Sequence, residues 1–319
     1  MGFPQSQLEW ACGRDCRKPT RNRRVSDVTI PSARSVPNPD SPIDALTDPT
    51  LLDLLDLEQL EHDIFRGWSP DQKRTRVFGG QVAAQALRAA QRTIAGDTAL
   101  ATHSLHAYFL RGGDWRHPIL YRVDRIRDGR SFATRRVVAI QYGEAVFNLE
   151  ASFHIAEPGY EHQVEMTPVI ELTGMHPDEV DADGFSGVVD SRAIPIESIP
   201  SAYAPARWLW FRAPQLAGAS EGMTSAGIIY ASDHGPVGAA RRPHEGNPQL
   251  NRSMSASLDH LVWIHRPTDL GDWHFYDLRP STTAAARGLA HGTIHRIDGT
   301  LVATTVQEAL IRPWRESPS

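Results

Sequence analysis

The sequence predicts an α+β protein built from two tandem copies of one unit, each a curved antiparallel sheet wrapped around a central helix. Three observations carry that prediction. Residues 78–153 recur as residues 233–309 at an offset of about 155. Each copy places several strand-like runs after a single helical start. The chain of 319 residues exceeds one average domain without reaching three.

The repeat keeps its register. Phe78-Gly79-Gly80-Gln81-Val82-Ala83-Ala84 lies against Asp233-His234-Gly235-Pro236-Val237-Gly238-Ala239, so Gly80 meets Gly235, Val82 meets Val237 and Ala84 meets Ala239. Arg111 then meets Arg266, Asp114 meets Asp269 and Tyr121 meets Tyr276 without a gap. One inserted residue brings Gly143 onto Gly299, Val146 onto Val302 and Ala151 onto Gln307.

Taken in chain order, residues 1–45 mix six arginines and lysines, from Arg14 to Arg24, with a Pro- and Ser-rich stretch, and read as a flexible tail. Met1-Gly2 with Ser6 formally fits a myristoylation pattern, and an upstream artefactual start codon explains it as well. Residues 46–157 form the first domain. In it Gly79-Gly80 opens a helix whose Ala83, Ala84, Ala86, Ala89 and Ala90 lie on several faces, as suits a helix that other elements approach closely. Strands follow at His103 to Leu110, Ile119 to Ile126, Phe132 to Ile140 and Ala145 to Phe153. Their apolar face has only that helix nearby to bury itself against. Residues 158–205, acidic and Pro-rich, read as a linker. Residues 206–316 are the second domain, where Asp298-Gly299 signals a type I′ hairpin.

Composition narrows the function. Hydrophobic residues are 40% and charged residues 22%, with net charge -5, so a core can form and no field attracts nucleic acid. Cys12 and Cys16 are the only cysteines and lack zinc spacing, which points to a reducing, cytoplasmic setting without a metal or cofactor. No run reaches transmembrane length, and no secretory signal is evident, so the sequon at Asn251 is inert.

Gly218-Ala219-Ser220-Glu221-Gly222 matches a nucleophile elbow, yet the pattern offers neither a strand before it nor a helix after it, and it reads as a turn. His260 and His265, five apart in a strand, face opposite ways and make no metal clip. Asp233 follows Ser232 where a helix is expected to begin, so its plain role is an N-cap. The repeat shifts that reading. Where the second copy has Asp233, Ser257 and Gln307, the first has Phe78, Thr102 and Ala151. A carboxylate, a hydroxyl and an amide present in only one copy are not a need of the fold.

Phe65-Arg66-Gly67, Val77 to Gln81, Leu105 to Arg111 and Arg127-Asp128-Gly129 resemble the N-terminal half of acyl-CoA thioesterase II. Tyr230 to Asp233, Ser257 to His260, Trp263, His265-Arg266-Pro267, Ala286-Arg287-Gly288 and Val306-Gln307-Glu308 resemble its C-terminal half. The resemblance spans about residues 50–313. It implies a double hotdog fold, hydrolysis of fatty acyl-CoA, a homo-oligomer, and a water held jointly by Asp233, Ser257 and Gln307. Ser257 stands where the family commonly has Thr, keeping the oxygen and losing a methyl. The C-terminal Glu316-Ser317-Pro318-Ser319 is not a peroxisomal address.

Two chemical expectations follow. The dipole of a helix starting at Asp233 keeps its carboxylate ionised, and backbone N–H groups at His234 and Gly235 face the thioester carbonyl. Two rivals use the same sequence: a hotdog enoyl-CoA hydratase with Asp233 and His234 as acid/base pair, and a non-catalytic acyl-CoA-binding protein using the basic tail.

Overall fold

The computed structural model describes residues 49–70, 76–96, 98–185 and 188–314, and the tail expected over 1–45 lies outside the described residues. Helix α1 (Leu51–Leu55) opens on a Thr50–Asp53 capping box. The hairpin β1 (Glu58–Glu61) and β2 (Ile64–Gly67) precedes α2 (Gly79–Gln91). Then come β3 (Leu100–Phe109), β4 (Ile119–Asp128), β5 (Phe132–Gln141) and β6 (Glu144–Ile155).

The alanines of α2 are all fully buried. Small side chains let sheet strands press on one side of the helix and a second helix on the other. Buried amides fix the helix's height: Gln85 donates to the Leu54 and Trp68 carbonyls at 2.8 and 2.9 Å and accepts from the Tyr121 hydroxyl at 2.7 Å.

After α3 (Val169–Thr173), the second half runs β7 (Asp190–Ala193), β8 (Arg207–Arg212), α4 (Glu221–Ser232), α5 (Pro236–Arg241), β9 (Ser253–Ser257), β10 (Asp259–Ile264), β11 (His274–Ala284), β12 (Arg287–Arg296) and β13 (Leu301–Pro313). The strands form one sheet in the order β1-β2-β4-β5-β6-β3-β10-β13-β12-β11-β8-β7, with β9 beside β13. The order is the same read from either end: β2-β4-β5-β6-β3 mirrors β8-β11-β12-β13-β10. The halves meet where β3 pairs antiparallel with β10, Ser104 opposite Trp263 and Tyr108 opposite Asp259. Among the described residues no helix is long and apolar enough to cross a membrane.

Four expectations need correction. The second copy's helix does not begin at Asp233: α4 ends there, with Asp233 as its C-cap at φ −76° and ψ −9°, and α5 starts only at Pro236. Residues Thr224–Ser232 of α4 are buried throughout, so no polar face marks the helix in the sequence. Consequently Gly218–Gly222 does run directly into a helix, although the preceding β8 ends at Arg212, well short of an elbow, and Ser220 merely caps α4 at the end remote from Asp233.

The range expected as linker contains α3, and its β7 pairs with β8 as an edge strand of the sheet. Finally, the Asp298-Gly299 turn is a three-residue connection closed by Arg296 N–H to Thr300 O at 2.9 Å, with positive φ at Gly299 alone. The two-residue type I′ geometry falls instead at Tyr142-Gly143, where both φ angles are positive.

Candidate active site

Helices α2 and α4 pack antiparallel across the seam. The start of α2 meets the end of α4, because a Cβ on Gly80 would lie 2.5 Å from the Tyr230 carbonyl oxygen. At the other end, Gln91 bonds Ser225 at 2.9 Å. This crossing brings Asp233, last of its own helix, onto the positive end of the other. The Asp233 carboxylate accepts the Gly80 N–H, and a Cβ on Gly79 would stand 2.8 Å from its Oδ2. Only glycine allows that approach. A Gly80→Ala substitution, meeting the Tyr230 backbone as well as the Phe78 ring, is expected to cost about 1–3 kcal/mol, measured by thermal or denaturant unfolding.

The three side chains singled out in the sequence come together. Gln307 Nε2 donates to Ser257 Oγ at 2.8 Å, and Ser257 Oγ donates to Asp233 Oδ1 at 3.3 Å. Strand pairing sets this: β9 lies beside β13, with Ser257 opposite Ala309, two residues beyond Gln307. Its two ends are secluded, Asp233 being 8% and Gln307 1% exposed, while Ser257 is half-buried. Burial pushes the Asp233 carboxyl up to about 7, and the hydrogen bonds from Gln307, the Gly80 N–H and Ser257 offset only part of that. The sequence-based expectation of a carboxylate held firmly ionised is therefore wrong. Its own helix presents its negative end, and α2's positive end does not outweigh desolvation.

Below this trio runs a second polar layer. His260, fully buried and pushed down to about 4 by burial, bonds Ser232 Oγ through Nε2 at 2.8 Å. Tyr276 donates to the Ser232 carbonyl at 3.0 Å. The Gln307 side chain is buried against the same layer and also hydrogen-bonds the His260 ring.

Of the backbone donors expected at His234 and Gly235, that of His234 is engaged within its own turn. The His234 N–H bonds the Ala231 carbonyl at 3.0 Å. Gly235, at φ 111°, is wedged so that an added Cβ would lie 2.6 Å from Leu278 and 2.7 Å from Leu209. The His234 ring is turned to Asp183, 2.7 Å away, under the stacked ring of Phe185. Sequence reasoning also missed the first copy's share, namely Gly79, Gly80 and Phe109. The adjacent glycines at a helix start were the available signal, since that pairing marks close backbone approach.

Beside Gly79 and Ser257 opens a cleft of about 260 Å³, with Val82, Phe109 and Phe147 in its walls and Arg76 and Arg111 at its edge. It offers a route to the trio from solvent.

Two helix-backed antiparallel sheets joined edge to edge, with a polar cluster at their seam, define a double hotdog protein. The family models of the acyl-CoA thioesterase N-terminal and C-terminal domains match residues 65–154 and 171–311. The chain is 36% identical to acyl-CoA thioesterase 2 of Haemophilus influenzae, over 82% of this chain and 96% of that protein. It is 35% identical to mouse acyl-coenzyme A thioesterase 8, over 81% and 88% respectively. Among solved structures, the acyl-CoA thioesterase II TesB2 of Mycobacterium marinum superposes with a TM-score of 0.73 at 34% identity, covering 84% of this chain and 99% of that one. The chain belongs to the acyl-CoA thioesterase family.

Proposed function

We propose that this protein hydrolyses fatty acyl-CoA to the free acid and CoA by direct attack of water on the thioester carbonyl. The observation that carries the reading is the hydrogen-bonded run from Gln307 through Ser257 to Asp233, buried at the seam and reached by a cleft with a cationic edge. An acid with a pKa of about 7 is matched to neutral pH. It takes a proton from water, whose oxygen bonds the carbonyl carbon. Ser257 and Gln307 orient that water by their remaining hydrogen-bonding capacity.

The C–S bond then breaks, and Asp233 returns the proton to the sulfur. A thiol of pKa roughly 8.5, by analogy with cysteine, leaves readily, so no stronger acid is required. The first-turn amides of α2, rather than those of His234 and Gly235, supply positive potential to the oxyanion. Arg76 and Arg111 at the cleft edge suit the CoA phosphates. A homo-oligomer in the cytoplasm is supported by the family resemblance and by the composition.

The hydratase reading needs His234 beside Asp233 on one substrate, and that ring is committed to Asp183. Thiol release trapped by a chromogenic disulfide decides the matter. Saturated acyl-CoAs are expected to release one thiol per turnover. Loss of enoyl absorbance without thiol indicates hydration instead, and binding without either reaction indicates a sensor.

A further inference from the structure

The polar excess of the second copy extends beyond the trio. Ser232, His260 and Thr305 are all buried in the layer below it. The matching positions of the first copy hold Val77, Leu105 and Leu149, which are buried as well. Strand pairing keeps these positions in register: His260 stands opposite Ala107 as Leu105 stands opposite Val262. The fold is satisfied by leucine at this place, and the half that bears the carboxylate has an imidazole there instead.

His260 is bonded on two sides. Its Nε2 lies 2.8 Å from Oγ of Ser232, the residue that precedes Asp233 at the end of α4, and the ring also hydrogen-bonds Gln307. The strands set the second contact: Leu261 pairs with Val306, so the next step along each strand places His260 beside Gln307. With the bonds from Gln307 to Ser257 and from Ser257 to Asp233, the side chains close a ring that begins and ends on adjacent residues. Tyr276 secures the same helix end, donating to the Ser232 carbonyl at 3.0 Å and meeting the Thr305 hydroxyl at 2.7 Å. A neutral imidazole offers one donor and one acceptor nitrogen, which suits a brace between two partners. Burial keeps His260 in that form, so it adds no charge to the site.

We propose that His260 is a positioning residue of the hydrolytic site: it holds the Gln307 amide turned toward Ser257 and ties that amide to the end of α4 that carries Asp233. The inference rests on the thioesterase reading above. A glutamine side chain turns about several bonds, and with a single partner it populates more than one rotamer. A second, rigid partner selects the rotamer that donates to Ser257. An attacking water is aimed only while that donor stays in place. His260 therefore acts on the rate through Gln307 and not by contact with the substrate.

The experiment is a double-mutant cycle of His260→Leu and Gln307→Ala, read by thiol release from a saturated acyl-CoA, with kcat, KM, the pH profile and thermal unfolding of each protein. The first copy carries Leu105 and Ala151 at these two positions, and Ser232 keeps an acceptor in the Ile229 carbonyl at 3.2 Å, so both variants suit the fold. His260→Leu is expected to lower kcat about 10- to 100-fold with KM within about threefold of wild type. Its kcat/KM break should move to higher pH, because a loosened Gln307 lowers the Asp233 carboxyl less. In the Gln307→Ala background the same substitution should cost less than about twofold, since no amide is left to position. His260→Asn, whose amide keeps one of the two hydrogen bonds, should recover part of the rate. Losses that multiply in the double variant, or a folded His260→Leu protein with wild-type kcat and pH break, overturn the inference and leave the thioesterase reading intact. Should His260→Leu fail to fold, His260→Asn is read through the same cycle. A wild type that releases no thiol overturns both.

Discussion

Asp233→Asn is expected to lower kcat on the order of 10²- to 10⁴-fold while making the protein more stable at alkaline pH. The catalytic loss follows from removing the only carboxylate of the trio, the group that takes the water's proton in the proposed reaction. The gain in stability follows from where the carboxyl sits. Its pKa is about 7 in the folded chain against an ordinary 3.8. A group raised in this way gives full stability below the unfolded value and loses it as pH rises through the folded one. At pH 8 the wild type holds a buried charge, and the amide relieves that strain by on the order of 2–4 kcal/mol. Thermal unfolding at pH 5 and pH 8 checks it, the difference between variant and wild type being clearly larger at pH 8 than at pH 5. Wild-type thiol release from a folded Asp233→Asn protein would remove this residue from the mechanism.

The second large effect is on the pH profile. kcat/KM should rise tenfold per pH unit up to about 7 and then level, because only the ionised Asp233 accepts the proton. Other titrating groups of the cluster do not confuse the reading. His260 is held down at about 4, and burial pushes the Tyr276 phenol well above its ordinary range. Gln307→Ala removes a hydrogen bond that lowers the Asp233 value. Its break is expected above 7, together with a lower plateau. A profile flat from pH 5 to 8 in wild type would show that Asp233 is not the titrating base.

Which parts of this could be read from the chain depended on how strongly each element constrains its residues. Strands β4 and β5 lay within two residues of their expected spans, because alternation and turn residues bound them on both sides. The trio could be singled out because duplication provides an internal control: the first copy shows what the fold requires, and the second copy exceeds it by three polar side chains that hydrogen-bond one another. Helix α4 was not legible. Gly222, Gly227 and a run of β-branched and hydroxyl residues give it poor intrinsic propensity. Burial on every face then erases the amphipathic period, and packing against α2 supplies the stability that local sequence does not. Missing α4 moved the helix start to Asp233 and with it the sign of the local dipole. The contribution of Gly79 and Gly80 was hidden for a different reason, since their partner is about 150 residues away.

The antiparallel pairing of β3 with β10 has a consequence for engineering. One half donates an acid, an alcohol and an amide, and the other donates a glycine-lined helix end, so neither half holds the whole of the proposed site. Splitting the gene between the halves should yield fragments that are inert apart, each with a bare strand seeking its complement, and that regain turnover only when mixed.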